Sequence, residues 1–364
     1  MSTDPAPRSV GESGEEAVLA VIVEELGELH RAGTDLAALT VPAGDDAAVL
    51  ELPEDGAPAR ILLSTDTLSQ DQDFRPGWWT PQQQGAPMGR AVGLKAAAQN
   101  LSDLNAMAAT PIALLVSLTL PATTSLDWVR GFYRGLAEAV RREGAEHCHI
   151  AGGDLGSGPG ISVTLTAVGR LPAGHAPLRR NGARPGDQLA VSGPLGAAAA
   201  GLALLEVGHP CPGPELSRLR DAQIAPAPRL RTGAQALRCG ATAGLDLSDG
   251  LLRDAGRLAR ASAVRVRLDQ AALTEQAAAL LPAAAALGLP EAQAQAEALR
   301  WVAAGGEDYE LLASFGAEAR LPEGFIKVGE ILECAEHAGS DADGAREVLL
   351  TGAIDDQGWD SLQG

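Results

Sequence analysis

The stretch that decides the predicted fold reads Gly44-Asp45-Asp46-Ala47-Ala48-Val49-Leu50, and Ser64-Thr65-Asp66-Thr67 follows a short way downstream. Each stretch has acidic or hydroxyl residues at one end of an apolar run, and the runs at residues 47–52 and 60–63 predict adjacent strands. Pairing these strands gathers oxygen-bearing side chains at one rim of a sheet, namely Asp45, Asp46, Ser64, Thr65 and Asp66. Such ligands suit a hard cation such as Mg²⁺. Taken alone, however, Gly-Asp-Asp favours an ordinary acidic turn.

The composition is that of a globular protein with an excess of acidic residues. The 364 residues include 47 acidic and 28 basic ones, a formal charge of −19, and 46% of them are hydrophobic. This length is sufficient for two domains with separate cores. The negative charge argues against a nucleic-acid backbone or an anionic membrane as partner, because both require a basic surface. A phosphorylated substrate stays compatible, since bound Mg²⁺ reverses the local sign of the charge.

The cysteines and the N-terminal residues predict a cytoplasmic protein. The four cysteines are far apart in the sequence and form no Cys-x-x-Cys pair, which favours a reducing compartment over a disulfide framework or a zinc site. Residues 1–14 are polar and acidic and lack the apolar core of a secretory signal. A long uncharged stretch, residues 188–205, is interrupted by Gly193-Pro194, so a strand, a turn and a helix are expected there rather than a membrane span.

Predicted strands and helices alternate along the chain, which indicates an α/β or α+β fold. One helix is expected at residues 18–29, and another at residues 88–107 carries Lys95, for which extension to solvent along the apolar helix surface is a sufficient explanation. Residues 170–185 are rich in Pro, Gly and Arg and predict a domain boundary. The predicted domains are therefore residues 13–170 and 171–345, followed by a tail at residues 346–364.

Two loops stay open to more than one interpretation. Residues 71–87 form a long polar segment with Asp73, Trp78 and Trp79, which is typical either of a binding loop or of a solvated connector. Gly152-Gly153-Asp154 is expected to open a turn between two strands, where glycine would let backbone N–H groups approach a phosphate closely. The chain has neither the GxGxxG pattern of Rossmann folds nor the GxxxxGK[ST] pattern of P-loops, so a nucleotide must be held in another way.

Acidic residues next to Gly, Ser or Asn recur at predicted strand and helix ends. Capping explains one such motif but not six, because a cap needs one acceptor and Ser or Thr serves equally well. Several carboxylates at one site repel one another unless cations neutralise them. A site that binds several Mg²⁺ ions and a polyphosphate is therefore the economical interpretation, and phosphoryl transfer mainly requires positioning and charge neutralisation. The motifs are Asp45-Asp46, Ser64-Thr65-Asp66, Asn100-Leu101-Ser102-Asp103, Gly152-Gly153-Asp154, Asp246-Leu247-Ser248-Asp249-Gly250 and Gly306-Glu307-Asp308.

Taken together, these motifs resemble those of the thiamine-monophosphate kinase family, within the superfamily of aminoimidazole ribonucleotide synthetase. The segments that carry the resemblance are GDDAAVL, STDTL, NLSDLNAM, GGD, RRNGARPGD, DLSDGLLRD and GGEDYELL. The resemblance implies ATP-dependent phosphorylation of thiamine monophosphate to thiamine diphosphate by direct transfer, with Mg²⁺. It also implies a two-domain fold, in which an N-terminal mixed sheet binds ATP and Mg²⁺ and pairs across a homodimer, beside a C-terminal α/β domain.

The resemblance further implies roles for individual residues. Asp103, Asp154 and Asp249 would be catalytic, and Asp45 would be a structural turn residue rather than a ligand. Asp73 stands where the family usually has a histidine that helps to bind substrate, which puts the substrate affinity in question. ATP would contact Gly153, Asp154, Arg180 and Ser248, and the thiamine moiety would contact Asp73, Glu307 and Trp359 of the tail. The Mg²⁺ ligands would be Asp46, Ser64, Thr65, Asp66, Asp103, Asp154, Asp246 and Asp249.

Two other functions stay possible on the sequence alone. The first is a related ATP-dependent synthetase that acts on another small phosphorylated metabolite. Selenophosphate synthetase-like chemistry would call for a reactive cysteine near the N-terminus, and the first cysteine is Cys148. The second is a nucleotide- and metal-binding homologue without turnover, suggested by Asp73 and opposed by the presence of every predicted metal-ligand position.

Overall fold

The computed structural model describes residues 38–334 except 43, 53–58 and 173, together with residues 20, 348 and 349. The predicted helix at residues 18–29, except for Ala20, and the tail with Trp359 lie outside the described residues. Among the described residues, no helix combines the length and the apolar character that crossing a membrane requires.

The first half of the described chain forms a six-stranded mixed sheet. In spatial order its strands are β1, β2, β3, β6, β4 and β5, and all neighbours are antiparallel except β4 and β5. Leu62, Val116 and Leu165 are buried between more exposed neighbours along their strands and belong to one core beneath the sheet. The strands are β1 (Ala38–Val41), β2 (Ala48–Leu52), β3 (Ala59–Ser69), β4 (Thr110–Leu120), β5 (His149–Ser157) and β6 (Ser162–Arg170).

Two helices cover this core, α1 (Ala86–Ala106) and α2 (Leu126–Ala139). They lie very close together because glycines of each helix face the backbone of the other. A Cβ atom on Gly93 would lie 2.2 Å from the carbonyl oxygen of Phe132, and one on Gly135 would lie 2.2 Å from the carbonyl oxygen of Arg90. Since such a distance is far below van der Waals contact, glycine at these positions sets the separation of the two helices.

The second half of the chain forms another six-stranded mixed sheet with its own core. The spatial order is β12, β9, β11, β7, β10 and β8, and only β12 and β9 run parallel. The strands are β7 (Gln188–Val191), β8 (Ala241–Asp246), β9 (Arg265–Leu268), β10 (Leu311–Phe315), β11 (Ile326–Leu332) and β12 (Val348–Leu349). The helices are α3 (Ala197–Glu206), α4 (Pro214–Ile224), α5 (Thr232–Arg238), α6 (Leu251–Ser262), α7 (Gln270–Ala277), α8 (Leu281–Ala286) and α9 (Glu291–Ala304).

These two sheets confirm the predicted fold class, a mixed α/β fold of the synthetase-like type. Helix α1 joins the halves, because it is buried on almost every side. Its Asn105 Nδ2 donates to Thr232 Oγ1 at 2.9 Å, and its Ser102 Oγ donates to Asp246 Oδ2 at 2.9 Å. A helix that contacts both halves needs polar side chains where it leaves the apolar core. The exact domain limits stay a prediction.

One local prediction was wrong. Gly152-Gly153-Asp154 does not open a turn but lies inside β5, an edge strand whose exposed residues pair with β4. Two adjacent glycines are typical of turns, yet here they serve a close strand contact. A Cβ atom on Gly153 would lie 1.7 Å from the carbonyl oxygen of Val116.

Candidate active site between the two halves

Four carboxylates from distant parts of the sequence meet where the two halves of the chain face each other. Asp66 belongs to β3, Asp103 to the end of α1 and Asp246 to the end of β8, while Asp46 lies in the turn before β2. We call Asp46, Asp66, Asp103 and Asp246 the acidic cluster. Asp246 is buried and the other three members are half-buried, and the charges of Asp46 and Asp66 raise the pKa of both Asp103 and Asp246.

The pKa values of the acidic cluster are raised first by burial and then by repulsion. The pKa of Asp46 rises to about 6 and that of Asp66 rises above its usual value. The pKa values of Asp103 and Asp246 rise well above their usual range. The charges of Asp66, Asp246 and Asp46 each raise the pKa of Asp103, so these carboxylates lie near one another. Both effects follow from placing like charges in a medium of low polarity.

Two hydroxyl groups hold this cluster in place. Ser64 Oγ donates to Asp103 Oδ2, and Ser102 Oγ donates to Asp246 Oδ2. Two buried carboxylate oxygens, Asp46 Oδ2 and Asp66 Oδ2, have no hydrogen-bond partner among the residues that the structure describes. Buried polar atoms are nearly always satisfied, so these oxygens fit a bound cation.

The side chains nevertheless do not form a finished coordination shell. Within the ranges that the structure describes, no three His, Cys, Asp or Glu side chains are arranged as a group that could hold a metal ion. One reason is that Arg180 Nη2 already contacts Asp46 Oδ1 at 2.5 Å. The cluster therefore fits a cation by its charge and its unpartnered oxygens, and binding would require small movements of these side chains.

Asp45 and Asp46 have different surroundings. Asp45 Oδ1 accepts from the backbone N–H of Asp46 at 3.2 Å and Arg180 Nε lies 3.3 Å away, while Asp45 Oδ2 lies 3.5 Å from Arg179 Nε. Both oxygens of Asp45 thus bind the turn to the Arg179-Arg180 segment. Asp46 binds Arg180 through Oδ1 alone, and its Oδ2 is the buried oxygen described above.

The loop between β8 and α6 adds Ser248 and Asp249 to the site. Asp249 raises the pKa of Asp66 by its charge, so the two carboxylates are near each other. Arg257 Nη2 contacts Asp249 Oδ2 at 2.6 Å, and the buried Asp254 accepts from the backbone N–H of Asp249 at 3.0 Å. The loop is therefore fixed from both sides.

A cavity of about 590 Å³ extends from Asp66 and Asp249 to a second polar group. At that far end Lys95 Nζ contacts Glu307 Oε1 at 2.8 Å, and Gln223 Nε2 donates to Glu307 Oε2 at 2.5 Å. Among the lining residues are Asp66, Asp73, Trp78, Ser248, Asp249 and Glu307. The volume is suitable for a small metabolite with a polar tail.

Comparison with known proteins identifies this arrangement. Residues 44–171 match the family model "AIR synthase related protein, N-terminal domain". The chain is 36% identical to thiamine-monophosphate kinase of Corynebacterium glutamicum, with 89% of this chain and 87% of the relative covered. It is 39% identical to the enzyme of the same name from Mycobacterium tuberculosis, with 85% and 86% covered. The chain belongs to the thiamine-monophosphate kinase family.

A solved member of this family has the same overall structure. The structure titled "AaThiL complexed with AMPPCP and TMP" superposes with a TM-score of 0.77 at 26% identity, covering 98% of this chain and 99% of that one. A second structure, thiamine monophosphate kinase from Aquifex aeolicus, has a TM-score of 0.68 at 26% identity, covering 87% and 94%. The chain is thus an enzyme of the kinase class, as the sequence motifs predicted.

The structure does not bring every predicted site residue of this family member together. Asp154 lies on β5, three strand spacings and so about 14 Å from Asp66 on β3. Thr65 Oγ1 donates to the carbonyl oxygen of Leu165 at 2.9 Å on the exposed face of the sheet, opposite to its neighbour Asp66. Gly153 faces Val116 of the same sheet. Their roles in binding metal or ATP stay predictions, as does that of Trp359.

Sequence reasoning missed three residues of this site. Lys95 does not extend to solvent as predicted, since its side chain is only 1% exposed. The signal was available: a lone lysine in an otherwise apolar helix requires a partner if it is buried. Trp78 lines the cavity while Trp79 is buried in the core, so the loop at residues 71–87 is not a solvated connector. Gln223 lies in α4 without any local motif to mark it.

Proposed function

We propose that this chain transfers the γ-phosphoryl group of ATP to thiamine monophosphate, which yields thiamine diphosphate. The observation that carries the proposal is the single cavity that joins the acidic cluster, through Asp66 and Asp249, to a polar and aromatic pocket at Asp73, Trp78 and Glu307. Thiamine monophosphate carries a phosphate and a cationic ring. It therefore needs one group of residues that holds the cation for its phosphate and another that contacts its ring. The family relative bound to AMPPCP and TMP supports this pair of substrates.

The acidic cluster would hold Mg²⁺ through Asp46, Asp66, Asp103 and Asp246, with Asp249 at the edge of the cavity. Bound Mg²⁺ supplies positive charge that neutralises the polyphosphate and polarises its oxygens. Ser64 and Ser102 orient the carboxylates of Asp103 and Asp246 by hydrogen bonds. Because these two donors are fixed by β3 and α1, the carboxylates need little rearrangement before the reaction.

The acceptor in this reaction is a phosphate oxygen of the substrate, so direct transfer requires no protein nucleophile. Catalysis then depends on alignment of the two phosphate groups and on neutralisation of their charge. Arg180 lies beside Asp46 and would be available to the polyphosphate once a cation replaces it there. Asp103 and Asp249 would be catalytic through the cation that they hold.

We further propose that two copies of the chain pair through the first sheet. Strand β5 is an edge strand, and Leu155 on it is 69% exposed while Leu115 on β4 is 44% exposed. An apolar edge strand of this kind is normally covered in a stable protein. Pairing would also place Asp154 and Gly153 at the boundary between two copies. Leu155→Glu is expected to shift the protein to monomers in analytical ultracentrifugation.

The proposed activity is tested with purified protein, Mg-ATP and thiamine monophosphate, with thiamine diphosphate followed by chromatography. Product is expected with Mg²⁺ and not with excess EDTA. Unphosphorylated thiamine serves as the acceptor control and is expected to give no product. ATP binding without product, despite an intact fold, would contradict the proposed activity and favour the non-catalytic alternative.

A further inference from the structure

Helix α6 carries an arginine that already occupies one of the carboxylates facing the cavity. Arg257 Nη2 contacts Asp249 Oδ2 at 2.6 Å, and Arg257 Nη1 contacts Oδ1 of the buried Asp254 at 2.9 Å. Arg253, one turn earlier on α6, lies 3.7 Å from the same Asp249 oxygen. Because Asp249 lines the cavity, a carboxylate that would face a cation there is neutralised by the chain itself.

Arg180 occupies Asp46 in the same way, with its Nη2 at 2.5 Å from Asp46 Oδ1. Burial lowers the pKa of Arg180, but the charges of Asp46 and Asp45 outweigh burial and raise this pKa above its ordinary value. The charge of Arg257 acts in the opposite direction and lowers the pKa of Arg180, so the two guanidinium groups lie near each other. Two neighbouring arginines therefore bind carboxylates that would hold a cation.

Helix α6 connects these two arginines. Its residue Ser262 donates through Oγ to the carbonyl oxygen of Arg180 at 2.8 Å and accepts from the backbone N–H of Gly182 at 3.0 Å. The backbone of the segment that contains Arg180 is thus held by the end of the helix that carries Arg257. Since both backbones are fixed, a change of partner involves the side chains alone.

A cation that approaches Asp249 meets the positive charge of Arg257. The side chains of Asp249 and Arg257 are only 18% and 23% exposed, so water screens this repulsion incompletely. A guanidinium group binds phosphate oxygens as well as carboxylate oxygens, because its planar donors match both. A polyphosphate therefore offers Arg257 a second partner when a cation takes Asp249.

We propose that Arg257 is an exchangeable counter-ion, which neutralises Asp249 in the metal-free protein and binds the polyphosphate when Mg²⁺ and nucleotide enter together. This inference rests on the proposed function and adds a residue that lies outside all of the sequence motifs. It makes the binding of the two ligands interdependent. Mg²⁺ alone has to displace Arg257 without compensation, whereas Mg²⁺ with a polyphosphate gives the guanidinium group a new partner.

The test measures binding without turnover. Isothermal titration calorimetry gives the Kd of Mg²⁺ alone and the Kd of Mg-AMPPCP for wild type and for Arg257→Gln. The variant is expected to bind Mg²⁺ alone about tenfold more tightly, because the competing charge is gone. It is expected to bind Mg-AMPPCP about threefold more weakly, because the lost contact with a highly charged polyphosphate outweighs the competition that is removed.

Two control variants separate charge from shape. Arg257→Lys keeps a positive charge beside Asp249, so its Kd for Mg²⁺ alone is expected to stay within about twofold of wild type. Arg130→Gln removes an exposed arginine of α2 that pairs with Asp127, and is expected to change neither Kd. Should Arg257→Gln fail to fold, Arg257→Gln/Asp254→Asn takes its place, because it leaves no buried charge at position 254 and keeps an acceptor for the backbone N–H of Asp249.

The two probes make the proposal falsifiable in either direction. It is overturned if the variant binds Mg²⁺ alone no more tightly than wild type does, or if it binds Mg-AMPPCP as tightly as wild type or more tightly. Weaker binding of both probes would show that Arg257 has a structural role instead. A wild-type protein with the expected binding but without formation of thiamine diphosphate would contradict the proposed function and leave the role of Arg257 standing.

Discussion

The two ends of the cavity use carboxylates in opposite ways. The acidic cluster contains four carboxylates whose pKa values burial and mutual repulsion raise. At the other end, Glu307 is paired with a lysine of the same chain, and no comparable cluster of charge arises. Both ends are built from residues far apart in sequence, and both lie between the two halves of the chain.

This difference shows what each end requires from its surroundings. Buried like charges destabilise a fold unless something neutralises them, so we expect the acidic cluster to be stabilised by a cation from solution. The pair of Lys95 and Glu307 is neutral by itself and is complete without one. The predictions below test this contrast, from the largest expected effect to the smallest.

The largest effect is expected from Asp103→Asn. This change keeps the acceptor for Ser64 but removes the charge of a carboxylate that would hold a cation, so kcat is expected to fall about a thousandfold or more. Steady-state kinetics with saturating Mg-ATP measure the loss. Asp127→Asn, an exposed aspartate on α2 paired with Arg130, is the control and is expected to keep full activity. Unchanged turnover in Asp103→Asn would remove Asp103 from the metal site.

The second effect concerns the paired end. Lys95→Met leaves Glu307 partly buried without its cation, and is expected to lower the free energy of unfolding by about 2 to 3 kcal/mol. Lys95→Met/Glu307→Gln removes the pair together and is expected to recover most of this loss, to within about 1 kcal/mol of wild type. Urea denaturation measures both. A double variant as unstable as the single one would show that Lys95 acts through packing rather than through its charge.

The third effect is the pH dependence of stability in the absence of metal. Burial raises the pKa of Asp46 to about 6 in the folded protein, from an ordinary value of 3.8, so between these pH values the folded protein retains a proton that the unfolded chain has released. The contribution of protonated Asp46 to the free energy of unfolding is therefore fully present below pH 3.8 and is lost as the pH rises through about 6. The free energy of unfolding changes by up to about 1.4 kcal/mol per pH unit for each such proton.

Bound metal should offset, at neutral pH, the loss of stability that the metal-free protein shows as the pH rises. In EDTA, thermal unfolding from pH 5 to 7 is expected to show a falling Tm as the acidic cluster ionises. With millimolar Mg²⁺ the ionised carboxylates gain a partner, so the Tm at pH 7 is expected to rise by several degrees. Asp66→Asn should reduce this gain, and the Asp127→Asn control should not. If Mg²⁺ raised the Tm of the wild type, Asp66→Asn and Asp127→Asn equally, specific binding at the acidic cluster would be contradicted.

The same contrast explains which parts of the site the sequence could predict. Asp103 and Asp246 stand near element ends and Asp66 lies within β3, and each has a serine within two residues, so local patterns identify them as a set. Lys95 and Glu307 are 212 residues apart, and neither carries a local pattern that reveals the other. Sequence patterns report the chemistry of a segment, whereas an ion pair between distant segments depends on how two sheets are placed by α1.

The fold shows the same limit in β5. The alternation of strands and helices predicted the mixed α/β class correctly, because hydrophobic periodicity is a local property. The two glycines at positions 152 and 153 were assigned to a turn, because turns are their commonest use. The reason for Gly153 lies on the neighbouring strand, where the carbonyl oxygen of Val116 leaves no room for a side chain. Only the pairing of the strands reveals that contact.

The smallest effect is expected from the ion pair of Arg75 with Glu206, two residues that line the cavity. It joins the loop at residues 71–87 to α3 at 2.5 Å, and both side chains are well exposed, 47% and 38%. Exposed pairs of this kind contribute little, so a double-mutant cycle of Arg75→Ala and Glu206→Ala is expected to give a coupling of about 0.5 kcal/mol or less. Because water and salt screen such a pair, the coupling should vanish at high ionic strength. A coupling above about 1.5 kcal/mol would mean that the pair is desolvated in solution, and that this loop closes the cavity more tightly than its exposure indicates.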